Sequence, residues 1–219
     1  MVLKLTWLGH ASFKVEGKST IYIDPWKISE KGKADIILIT HSHYDHLSPT
    51  DISKIQTSKT IILTPPDGAK KLKGDVRKVK PGQTISIRGV KVETVPAYNL
   101  NKPYHPKENN WVGYIIEAEG TRIYHSGDTD FIPEMEKIKV DIALLPIGGT
   151  YTMTAEEAVE AAKSINPQLA IPIHYGDIVG TESDAKLFEK ISKVKVRVLK
   201  KGETFEWGKT LSSNWSELS

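Results

Sequence analysis

Residues 36–46 read Ile36-Ile37-Leu38-Ile39-Thr40-His41-Ser42-His43-Tyr44-Asp45-His46. Four apolar residues run directly into three imidazoles and a carboxylate. The apolar run is short and rich in β-branched side chains, which reads as a buried strand. The polar residues then fall in the loop at its C-terminal end, where open α/β sheets place their ligands. Nitrogen and oxygen donors packed this densely suit zinc or a similar transition ion. Alternate residues on a strand end share a face, so His41 and His43 can serve one ion. Asp45 and His46 follow after the chain turns, and two pairs of ligands predict two ions side by side. From composition alone such a match is expected in about 4 of ten thousand chains of this length, so a chance cluster of surface histidines is the weaker reading.

Reading outward, residues 2–8, 12–16 and 19–23 carry strand patterns, with a turn at Gly17-Lys18. Ser48-Pro49 starts a helix whose inner face is Ile52 and Ile55. A strand over 60–63, a short helix near 68–72, and strands over 76–80, 83–88, 90–95, 111–117, 121–125 and 141–145 follow. Thr154 and Glu157 form a capping box opening a helix with Ala155, Ala158, Val159 and Ala162 on one face. A strand over 169–173, a helix over 184–192 with Leu187, Phe188 and Ile191 on one side, and strands near 195–199 and 203–207 complete the pattern. The polar tail from 209 is expected to fray.

The 219 residues suit one domain spanning 1–219. No apolar run is long enough for a membrane span, and the N-terminus lacks signal-peptide features, so a cytoplasmic location is the default expectation. The absence of cysteine excludes disulfides, thiolate ligands and cysteine nucleophiles. A net charge of +3 without an arginine-rich stripe argues against a nucleic-acid partner. Self-association into a homo-oligomer is compatible with such a chain.

Two further strand ends carry ionisable residues. The segment over 121–125 runs into Ser126-Gly127-Asp128-Thr129-Asp130, and that over 169–173 ends at His174. A pair of divalent ions needs a bridging carboxylate, and Asp128 is the natural candidate; His174 would complete the second ion's set. The first ion still needs a third ligand. The irregular stretch 97–110 offers His105, which can fold over the rim; a solvated loop histidine is the alternative. His10 and His125 are better placed to orient ligands, or to serve as packed structural histidines, and Asp24 to accept a proton from a ligating imidazole. Tyr175, Lys102 and Lys107 are candidates to hold a substrate anion, although solvated lysines are the commoner outcome.

His41-Ser42-His43-Tyr44-Asp45-His46, the later Gly127-Asp128-Thr129 and Ile171-Pro172-Ile173-His174 resemble motifs of the metallo-β-lactamase superfamily. Trp7-Leu8-Gly9-His10-Ala11-Ser12, Tyr124–Asp130, Leu145–Met153 and His174-Tyr175-Gly176 are similar to its branch of metal-dependent hydrolases, ascorbate-phosphate lactonases and N-acylphosphatidylethanolamine phospholipases. The resemblance covers residues 2–207. It implies an α+β fold, a four-layer αββα sandwich with the site along one edge. It also implies that His41, His43 and a third histidine hold one ion, that Asp45, His46 and His174 hold the other, and that Asp128 bridges. Many relatives place the third histidine where this chain has Asn99; His105 lies six residues later, so either could complete the set. The implied activity is hydrolysis of a small anionic ester, lactone or phosphodiester by a metal-bound hydroxide, with Asp45 and Asp128 orienting it. Two zinc ions are expected, with manganese or iron as alternatives. A nuclease and a non-catalytic metal-binding scaffold are the rival readings, and a di-iron redox protein is disfavoured by His43, where such relatives carry glutamate.

Overall fold

A computed structural model describes residues 2–29 and 31–208; the expectation for the tail from 209 lies outside these residues. The strand anticipated before the histidines is β4, Ile36–Leu38. Its side chains alternate between two cores: Ile36 and Leu38 face the sheet-to-sheet interior, Ile37 and Ile39 the opposite side. Burial on both faces is why the run has no polar alternation.

β4 sits inside a seven-stranded sheet with β1 (Leu3–Gly9), β2 (Ser12–Glu16), β3 (Thr20–Ile23), β5 (Ile61–Thr64), β6 (Asp75–Lys78) and β13 (Thr204–Trp207), in the order β13-β1-β2-β3-β4-β5-β6. The stretch from β3 to β6 is parallel and the remainder antiparallel. The second sheet holds β7 (Thr84–Ile87), β8 (Val90–Pro96), β9 (Val112–Ala118), β10 (Thr121–His125), β11 (Ile142–Pro146) and β12 (Leu169–Ile173), in the order β12-β11-β10-β9-β8-β7. The last three in sequence run parallel.

Helix α1 (Pro49–Ile55) is capped by Ser48, whose hydroxyl accepts from the Asp51 amide, and buries Ile52 and Ile55 against Ile37, Ile39 and Ile62. α2 is a single turn, Pro66–Ala69. On the far side, α3 (Ala155–Ile165) opens with the expected Thr154–Glu157 box and packs on β11 and on α4 (Glu182–Ile191). The result is helix, sheet, sheet, helix: the α+β sandwich. Among the described residues no helix is long and apolar enough to cross a membrane.

Some local expectations are corrected. Residues 195–199 form no strand. Val196 makes an isolated bridge to Ala170, because the chain leaves the β12 edge there to cross to the other sheet as β13. The early short helix begins at Pro66 rather than 68, since Pro65-Pro66 presets its first turn. On α4, Ala185 and Phe188 are buried while Ile191 is exposed, so the inner face is rotated from the one expected. Lys107–Asn109 and Pro133–Lys137 form 3-10 turns that the apolar pattern does not signal.

Candidate metal centre

The ends of β3, β4, β8, β10 and β12 open on one rim, and their following residues converge there. His41 Nε2 lies 3.0 Å from His43 Nδ1, and the His41 ring packs at 5.1 Å centroid distance from His105. These three imidazoles form one nest; His10, Asp45, His46 and His174 form a second; each could hold an ion. Asp128 stands between them. Its Oδ2 is 3.3 Å from His105 Nε2 and 3.0 Å from His174 Nε2, and its Oδ1 is 3.3 Å from His46 Nε2.

The sheet holds these groups through strained backbone. His10, Asp24 and His174 adopt φ of 51°, 44° and 58°, a left-handed region that non-glycine residues rarely occupy. Asp24 is pinned by Ser12, whose Oγ donates to the Asp24 carbonyl and accepts from the Trp26 amide. His174 donates its amide to the His10 carbonyl, and the two rings lie 4.0 Å apart.

The electrostatics divide the imidazoles. Burial, then neighbouring His46, pushes His41 well below the usual imidazole range, and burial, then His105, lowers His43, so both stay neutral. Burial would lower His46 and His174 too, but Asp128 outweighs it and raises both. Burial would raise Asp128 and Asp45. For Asp128 the His174 and His46 charges overcome it, and for Asp45 the hydrogen bond from His10 does, with His174 and His46 nearby, so both carboxyls stay ionised.

A metal fits this donor set. His46 Nε2, His105 Nε2, His174 Nε2 and Asp128 Oδ1 are buried without a hydrogen-bond partner. Each such group left unsatisfied costs about 1–3 kcal/mol, and four of them gathered around Asp128 are a donor set that a divalent ion would satisfy.

His105, rather than Asn99, presents a nitrogen to the nest; the Asn99 amide instead accepts from His105 Nδ1 at 3.0 Å. His10 donates Nε2–H to Asp45 Oδ2 at 3.0 Å, and Asp24 accepts from His46 Nδ1 at 2.7 Å. His125 makes its hydrogen bonds to the backbone. Its Nε2 donates to the Ala11 carbonyl and its Nδ1 accepts from the Gly127 amide, so it shapes the turn that carries Asp128.

The three anion-binding candidates are directed elsewhere. The Tyr175 ring stacks on Trp7 and its hydroxyl donates to the Leu199 carbonyl; burial raises it to about 12. Lys102 donates to Asp130 Oδ1 at 2.6 Å. Lys107 lies over the Tyr98 ring and pairs with Glu134.

Residues missed by the sequence reading are Thr40, Trp111 and Asp130. Trp111 walls the first nest, 4.9 Å from the His41 ring and 4.8 Å from that of His43. Nothing in its surroundings in the sequence marks it, whereas Thr40 and Asp130 adjoin the motifs.

A family model described as "Beta-lactamase superfamily domain" matches residues 4–174. Proteins named UPF0173 metal-dependent hydrolase from Thermococcus onnurineus and Archaeoglobus fulgidus are each 34% identical, over 94% of this chain and 100% of theirs. The chain belongs to this family of metal-dependent hydrolases in the beta-lactamase superfamily. A crystal structure of a Parabacteroides distasonis protein, 39% identical, superposes with a TM-score of 0.82 over 92% of this chain and 94% of that one. Igni18, a metallo hydrolase from Ignicoccus hospitalis, is 28% identical with a TM-score of 0.79, over 95% and 99%.

Proposed function

We propose that this hydrolase binds two divalent ions, with zinc favoured by the imidazole-rich set, and cleaves a small ester, lactone or phosphodiester of the cytoplasm. The observation that carries the reading is the pair of nests sharing Asp128, with unpartnered imidazole nitrogens turned towards it. His41, His43 and His105 would hold one ion and Asp45, His46 and His174 the other, with Asp128 between. Bound there, the ions would supply an activated water and neutralise charge that develops as the bond breaks.

The protein's own groups do the aiming. His10 fixes the Asp45 carboxylate, so that its second oxygen can orient a water. Trp111 shields the His41 and His43 rings from bulk water. Tyr175, Lys102 and Lys107 are engaged with Leu199, Asp130 and Glu134, so an anionic substrate group would be held at the metal site. The rest of the substrate meets Tyr44, Leu100 and Tyr104, which are 68%, 52% and 43% exposed and directly flank His43, Asn99 and His105.

The test is metal content of protein purified without added metal, then turnover of a nitrophenyl phosphodiester, a nitrophenyl ester and a lactone. His43→Ala should lose one equivalent of metal and the activity while keeping the fold. Full turnover in that variant would refute the reading.

A further inference from the structure

We propose that Asn99 and Asp130 are positioning residues that fix the tautomer and aim of His105. The inference rests on the dinuclear reading only in taking His105 as a ligand of the first ion.

The other two imidazoles of that nest ride on the end of a central strand. His105 does not: it lies in the irregular stretch after β8, yet it is 1% exposed and its Nε2 points at Asp128. Something other than a sheet must hold it. Asn99 makes three hydrogen bonds to it. The Asn99 amide nitrogen of the backbone donates to the His105 carbonyl at 2.8 Å, and the Asn99 Oδ1 accepts from both the His105 backbone N–H and the His105 Nδ1, each at 3.0 Å.

The orientation of the Asn99 side chain follows from chemistry. Its Nδ2 faces two acceptors, Asp130 Oδ1 and the Tyr151 carbonyl, both at 3.0 Å. A flipped amide would oppose oxygen to oxygen there and N–H to N–H at His105. Oδ1 must therefore face His105, Nδ1 must carry the proton, and Nε2 is left with its lone pair towards the nest. Asp130 is locked in turn, since its Oδ2 accepts from the Leu100 amide at 2.8 Å and its Oδ1 from Lys102 at 2.6 Å. Asn99 and Asp130 are buried, so water does not compete.

The test exchanges the pair. Asn99→Asp sets two carboxylates face to face; Asp130→Asn sets amide N–H groups against the donors of Asn99, Lys102 or Leu100. The combined Asn99→Asp/Asp130→Asn protein restores one acceptor towards His105 and one donor between the two residues. Two readouts are used: zinc affinity by competition with a chelator, and nitrogen-edited NMR of the His105 ring in metal-free protein. Each single variant should weaken one zinc equivalent by about 10–100-fold and lose the protected Nδ1–H signal. The exchanged pair leaves its new carboxylate facing the Tyr151 carbonyl and its new amide facing Lys102, so it should regain the signal and part of the affinity. Folded single variants that match the wild type, or an exchanged pair no better than the poorer single, would overturn the proposal. Should a single variant not fold, Lys102→Met withdraws one donor from Asp130 and must itself loosen zinc and the Nδ1–H signal, or the proposal falls. A wild type that binds only one ion would sink the dinuclear reading alone, because the ring signal reports positioning without metal.

Discussion

Asp24 Oδ2 accepts hydrogen bonds from His46 Nδ1 at 2.7 Å and from the Thr40 hydroxyl at 2.6 Å, so one carboxylate oxygen at the end of β3 governs both nests. The Thr40 proton being committed to Asp24, its Oγ1 accepts from His41 Nδ1 at 3.0 Å. His41 and His46 are thereby held with Nε2 free for a ligand. Asp24→Asn cannot serve every donor, because the Thr40 backbone amide donates to the other oxygen, Oδ1, at 2.8 Å: whichever way the new amide turns, its NH2 group meets a donor. It should weaken metal at both nests by about 10–100-fold, whereas His43→Ala affects only the first. Zinc titration of the two variants side by side checks this; loss confined to one equivalent in Asp24→Asn would refute it.

Gly148 stands where no side chain fits. A Cβ there would lie 2.6 Å from the His174 carbonyl oxygen and 3.1 Å from His174 Nδ1. Backbone cannot yield cheaply, and His174 already sits at a φ of 58°. Gly148→Ala should lower stability by about 1–3 kcal/mol and weaken the zinc equivalent proposed for the nest of Asp45, His46 and His174. Gly82→Ala is the contrast: its φ is +83° but the space is open. It should lose about 1 kcal/mol with metal affinity unchanged. Urea melts and zinc titration separate the two effects.

The same contrast shows what was legible beforehand. Ile36–Ile39 is readable because burial on both faces writes itself as an unbroken apolar run, and the His41–His46 donors follow it without a gap. Asp128 and His174 are readable because each ends a strand. Tyr175 follows His174, whose φ of 58° turns the chain, and its ring stacks on Trp7. Trp111 and the Asn99–Asp130 contact depend on segments distant in sequence meeting in space, for which periodicity carries no signal. Residues 195–199 have a strand's composition, yet only Val196 finds a bridge.

Away from the rim, the Glu93–Arg122 pair links β8 to β10 across β9 at 2.9 Å. Arg122, with burial opposing it, depresses the Glu93 carboxyl from 4.5 to about 2. A carboxyl depressed in the folded state stabilises above its unfolded value and loses that contribution as pH falls. The window is therefore from about 4.5 down to about 2. Glu93 is 25% exposed, so after solvent screening the contribution at neutral pH is about 1 kcal/mol. Glu93→Gln should be that much less stable at pH 7 and nearly equal to wild type near the bottom of the window. An unfolding free-energy difference independent of pH would refute the assignment.

Leu100 and Tyr104 lie in the stretch that leads into His105, and the Tyr104 ring meets that of Tyr151 edge-on at 4.6 Å. If these exposed side chains meet the substrate, as proposed, apolar length in the substrate should bind against them. For nitrophenyl esters of increasing acyl length, KM should fall as the chain grows while kcat changes little, because apolar contact away from the reacting atoms is made equally in ground and transition states. Each added methylene is worth at most about 0.8 kcal/mol, or roughly fourfold in KM. Leu100→Ala and Tyr104→Ala should flatten that dependence and leave the acetate ester unaffected. A series in which wild-type KM ignores chain length would show that the rim serves no such role.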